Sequence, residues 1–215
     1  MTAIKVLLEH FNKPTGRLKT RLRDIADQIL RLSPGHFITY REQPKDDSSL
    51  LLGMLEQIED VVGWEAGVHN IVHYCTSLDP YLRRLVICKE LIHILDPECY
   101  LTKTPTEVDE LMSILAEPTP IKEGSPHGDH DHRTAVVLAT GVLFPLARRE
   151  ELMAAYTAGT LSAQKITDHV KIPRAYVDVV MAASWPAKLE WAINKFETDV
   201  ASIGLDEEAK AGITL

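Results

Sequence analysis

The segment between Asp79-Pro80 and Pro97 is too apolar to be an ordinary surface helix. Leu82, Leu85, Val86, Ile92 and Leu95, with Cys88 and Leu91 beside them, leave it little polar face, so the pattern predicts a helix buried on most sides. Asp79 suits the N-cap, Pro80 suits the first helical position, and Pro97 helps to stop the helix. A helix of this kind has to sit at the centre of a core, and the other elements must pack around it. Past Arg83 and Arg84, three polar residues interrupt it: Lys89, Glu90 and His93. A polar group buried without a partner costs about 1–3 kcal/mol, so a cluster of three needs a reason.

Their spacing suggests one. Lys89-Glu90-Leu91-Ile92-His93 is H-E-x-x-H with lysine at the first histidine. Positions i and i+4 share a helix face, so two histidines there can bind one metal. The glutamate beside the first histidine can then take a proton from metal-bound water. A lysine ammonium has three donors and no lone pair, so it ligates a cation only after losing its proton. Read from the residues alone, Glu90 and His93 fit either a metal site or the polar rim of an ordinary helix.

A second stretch, His132-Arg-Thr-Ala-Val-Val-Leu-Ala-Thr-Gly-Val-Leu-Phe-Pro145, follows later in the chain. Together with Arg84-Leu-Val-Ile-Cys-Lys-Glu-Leu-Ile-His93 it resembles the ImmA/IrrE metallo-endopeptidase family, over roughly residues 70–180. That family carries R-x-x-x-A-H-E-L-x-H and then E-x-x-A-N-x-F-A-A-x-L-L-M-P. Ala135, Ala139, Leu143 and Pro145 match, and Val142 and Phe144 are similar, while the leading Glu position falls on His132 and the Asn position on Val136. The resemblance implies an α+β, mainly helical fold, with a zincin-like core, a small sheet packed on the active-site helix and a helical C-terminal part. It implies zinc as cofactor, His93 and His132 as metal ligands, Glu90 as general base, and a regulatory protein such as a repressor as peptide substrate. With Lys89 at a ligand position, the favoured reading is a binding or regulatory module with impaired peptidase activity. The alternative is an active zinc endopeptidase with non-standard ligands, in which His130, His127 or Glu107 supplies the missing donor.

A chain of 215 residues can bury one sizeable core. The expected organisation is residues 1–70 as N-terminal helices and a short strand within the same domain, residues 71–183 as the zincin-like core including loop 117–132, and residues 184–215 as a C-terminal helix and tail. A net charge of −8 argues against broad nucleic-acid or anionic-membrane binding, though not against a local basic patch. Cys75, Cys88 and Cys99 are odd in number and lack C-x-x-C spacing, and so read as reduced thiols. With no signal peptide and no run long enough to span a bilayer, a cytoplasmic location is expected.

Residues 1–12 form a short apolar element, helix or strand. Leu18, Leu22, Ile25, Ile29 and Leu32 predict an amphipathic helix, whose Arg17, Lys19, Arg21, Arg23 and Arg31 make it the most basic part of the chain. This basic run reads as a solvated face or as a contact for an acidic or phosphate-bearing partner. His36 to Tyr40 predicts a strand, residues 50–62 a helix through Leu51, Leu55, Ile58 and Val62, and residues 68–75 a strand in which His73 is a core or edge histidine rather than a ligand. A helix is expected over residues 106–116.

The loop 117–132 carries His127-Gly-Asp129-His130-Asp131-His132, the densest set of metal-capable side chains in the chain. It reads as a solvated loop, as the approach to a helix that points His132 at His93, or as a separate metal site of His127, His130 and His132. Residues 135–146 predict a helix of small apolar residues suited to packing on the Leu85–Leu95 helix, and residues 148–158 an amphipathic one. Residues 162–170 and 173–183 predict two short helices around a tight turn, reminiscent of a helix-turn-helix and so of a DNA-binding regulator. Trp185, Trp191, Ile193 and Phe196 predict a last helix, followed by a frayed end from Gly204.

Overall fold

The computed structural model describes residues 2–13, 19–44, 52–62, 65–96 and 134–212. Among these residues the protein is α+β, 63% helical, with a small three-stranded mixed sheet. In chain order the elements are α1 (Ala3–Phe11), α2 (Leu22–Leu32), β1 (His36–Gln43), β2 (Gly53–Val62), β3 (Glu65–Cys75), α3 (Pro80–Ile92), α4 (Val136–Leu143), α5 (Leu146–Thr157), α6 (Ala163–Val170), α7 (Arg174–Met181) and α8 (Trp185–Gly212). A single 3-10 turn, His93–Leu95, continues α3.

Helix α3 lies at the centre, as its composition requires. Leu85, Val86, Ile87, Cys88, Leu91 and Ile92 are all buried, and the helix packs against α2, β2, β3 and α4. Its start is the expected one, with the Asp79 carboxylate accepting from the Tyr81 and Leu82 amides at 2.9 and 3.4 Å. Helix α4 crosses it closely because the facing residues are small. The Cys88 thiol reaches the Ala139 carbonyl at 3.8 Å. One continuous apolar cluster runs from Ile4 and Ile25 through Leu91 and Leu138 to Trp185 and Phe196.

The sheet has the order β1-β3-β2, with β1 parallel and β2 antiparallel to β3. Thr39 pairs with Ile71 on one side, and Glu56 pairs with Ile71 on the other. Alternation then assigns the faces. Ile38, Leu55 and Val72 turn toward the helices. Phe37, Met54 and Ile58, on the opposite face with His69, Ile71 and His73, are exposed.

Two expectations are corrected. The stretch predicted as a helix over residues 50–62 is strand β2 from Gly53. Its apolar residues do recur at three to four, but Leu55 faces the core while Ile58 faces outward, which only an extended chain of period two allows. The C-terminal helix does not end near Gly204; it runs to Gly212. The two tryptophans part company, Trp185 being buried and Trp191 47% exposed. Residues 1–12, open to either assignment, contain helix α1. The helix expected over residues 106–116 and the loop 117–132 lie outside the described residues, as do Arg17 and Leu18.

Candidate functional site

The site is built at the C-terminal end of α3. Glu90 is 2% exposed, in a helix buried along most of its length. Gly53 of β2 lies over it: a Cβ there would meet Val86 Cγ1 at 2.4 Å and Glu90 Oε1 at 3.0 Å. The missing side chain is thus what lets the strand press on this turn of the helix. Lys89 brings its Nζ to 3.0 Å from Glu90 Oε1. That oxygen makes no hydrogen bond of good geometry, so charge rather than a directed bond holds the pair.

One turn on, His93 is the C-cap of α3. Its Nδ1 lies 2.5 Å from Asp96 Oδ2, the two side chains being 12% and 2% exposed. A carboxylate on Nδ1 fixes the ring and leaves Nε2 as the other face of the imidazole, an arrangement that metal-binding histidines commonly use. Lys89, His93 and Asp96 each have a further interaction as well. The structure therefore brings Lys89, Glu90, His93 and Asp96 together, while His132, His130, His127 and Glu107 lie outside the described residues.

A zinc site needs three or four donors converging on one point. Among the described residues no group of three His, Cys, Asp or Glu side chains does so. What they offer is one oriented imidazole and one carboxylate already neutralised by an ammonium. An ammonium repels a cation, so zinc does not fit the described donor set as it stands.

His73 is accounted for without a ligand. It lies on β3, on the outer sheet face, and Gln43 Nε2 and Glu56 Oε2 sit 2.8 Å from its two ring nitrogens. Both nitrogens are used, which makes it a structural cross-tie of all three strands. Beside Glu90, burial pushes the Cys88 thiol up to about 12, the nearby Arg84 guanidinium offsetting only part of that rise. Cys88 is therefore a packed thiol and no nucleophile.

The pair of short helices is present as α6 and α7, joined through Lys171 in the left-handed conformation (φ 60°). On the outward side of α7, Arg174 is paired with Asp178 at 3.7 Å. A surface depression of about 420 Å³ on α8 is lined by Ala187, Glu190, Trp191, Asn194, Lys195 and Thr198, and none of the α3 residues takes part in it.

Sequence reasoning missed Asp96 and Gly53. Asp96 had a signal, since a carboxylate three residues after a histidine can reach its ring across one turn. Gly53 had none, because its role depends on β2 being a strand. No family model, curated protein or solved structure matches the chain in comparisons with all three.

Proposed function

We propose that this chain is a binding or regulatory module for a protein or peptide partner, resembling the ImmA/IrrE peptidases in its zincin-like core, with peptidase activity impaired. The observation that supports this reading is the buried Lys89–Glu90 pair at 3.0 Å. The ammonium stands at the position where the family carries a metal-binding histidine. The carboxylate that would serve as general base is neutralised by it and roofed by Gly53. A base held in an ion pair is a poorer proton acceptor, and a metal beside an ammonium is weakly held.

A second reading, an active peptidase with non-standard ligands, draws on the His93–Asp96 contact, which orients the imidazole as a ligand would be oriented. Zinc content of the purified protein after chelation and reloading separates the two. The wild type should hold well under one zinc per chain and leave unstructured protein substrates uncut. Lys89→His should raise zinc retention toward one per chain. One tightly held zinc in the wild type, lost in His93→Ala, would overturn the first reading in favour of the second.

A further inference from the structure

Strand β1, His36-Phe-Ile-Thr-Tyr-Arg-Glu-Gln43, is rich in β-branched and aromatic residues and forms one edge of the sheet. Phe37 on its outer face is 49% exposed, and Tyr40, which shares the inner face with Val72, is 46% exposed. The helices therefore leave this strand open on both faces. Its main chain is open too. The carbonyls of Gly35 and Gln43, at its two ends, accept from the amides of Val68 in β3 and Thr76 just past it, both at 3.0 Å. The register between these points is unbroken, so alternation turns the amides and carbonyls of Ile38, Tyr40 and Glu42 away from β3. Among the described residues no strand pairs with that side.

An open edge is a template for another strand, and proteins blunt it with proline, lysine, a bulge or charge. The opposite edge is blunted in this way. Strand β2 carries Glu56, Glu59 and Asp60 and no cation, so two copies of it repel. Strand β1 has no proline, lysine or bulge, and the charges of Arg41 and Glu42 cancel.

Strand β1 is also its own complement. Antiparallel copies exchange hydrogen bonds only where edge-facing residues oppose each other, which leaves Ile38, Tyr40 or Glu42 as the residue opposite Ile38. Ile38 against Ile38 sets Arg41 opposite Gly35, whose φ of 85° is not that of a strand. Ile38 against Glu42 sets His36 opposite Pro44 and an apolar side chain against a charge. Ile38 against Tyr40 has neither fault. It places Thr39 opposite its own copy on a two-fold axis, Arg41 beside the Phe37 ring and Glu42 beside His36, with no like charges opposed.

We propose that this chain forms a symmetric dimer through β1, two copies pairing antiparallel about Thr39 so that their sheets join into one. The inference does not depend on the function assigned to the Lys89–His93 cluster.

The test is sedimentation equilibrium of the full chain over a range of concentrations. A reversible monomer–dimer equilibrium is expected, with a dissociation constant on the order of 10–100 μM, since one strand pair is a small interface. Thr39 is exposed, and its side-chain bond to His69 lies at the surface, so substitutions there leave the fold in place, which circular dichroism checks. Thr39→Lys and Thr39→Glu each set like charges face to face and should weaken the dimer by about fivefold or more. An equimolar mixture of these two variants should associate to within about twofold of wild type, because opposite charges then meet on the axis. Trp191→Ala, which removes the exposed tryptophan of α8, should leave the dimer unchanged. A chain that stays monomeric at several hundred micromolar would sink the proposal. So would a dimer that Thr39→Lys leaves intact, one that Trp191→Ala abolishes, or a mixture that associates no better than either variant alone.

Discussion

Replacing Lys89 with Met keeps an unbranched side chain of similar length and deletes the ammonium beside Glu90. The Glu90 side chain is only 3% exposed, so water cannot take over the lost interaction. Removing one partner of a buried pair costs about 3–5 kcal/mol, because the other charge stays buried without compensation. Lys89 is 16% exposed and has a further interaction, which places the expected loss at the lower end. About 3 kcal/mol lowers the melting temperature of a chain this size by roughly 6–12 °C. The assay is urea unfolding followed by circular dichroism, run as a double-mutant cycle with Glu90→Gln. Lys89→Met/Glu90→Gln should recover about half the loss, because the stranded charge is gone and only a buried amide remains. Lys89→Met within about 0.5 kcal/mol of wild type, or strict additivity in the cycle, would refute the claim that Glu90 depends on Lys89.

Two further outcomes follow from the same neighbourhood. Gly53→Ala should destabilise by about 1–3 kcal/mol in urea unfolding, since its Cβ would start 2.4 Å from Val86 Cγ1 and 3.2 Å from the His73 carbonyl oxygen; unchanged stability would mean that β2 is not pressed on α3. Cys88 makes stability fall in alkali. Its thiol titrates near 12 folded against 9.0 in its ordinary state, so above pH 9 the unfolded chain loses a proton that the folded chain keeps. That contribution is complete below pH 9 and is lost as pH rises toward 12, amounting to about 1.4 kcal/mol by pH 10. Unfolding free energies at pH 8 and 10 should show it in the wild type, and Cys88→Ala should lose that slope.

The central helix was legible because its information is local. Asp79, Pro80 and the unbroken apolar residues to Leu95 dictate a capped, buried helix whatever surrounds it. The same holds for α2, α6 and α7, where a period near 3.6 is carried by the local sequence, with a Ser162 cap at the start of α6. Residues 50–62 were not legible, because their apolar spacing fits a helix and only pairing with β3 settles the matter.

For the candidate site, the sequence by itself determined that Lys89, Glu90 and His93 share a turn of one buried helix, since covalent spacing and helix geometry suffice for that. Only the tertiary structure decided what each one meets. Gly53 over Glu90, a carboxylate beside the His93 ring, and Arg84 turned away toward Thr20 all depend on how distant segments pack. The reason is physical: backbone hydrogen bonds and side-chain periodicity act over a few residues. The charge balance of a buried site is instead set by whichever elements the core draws together around it.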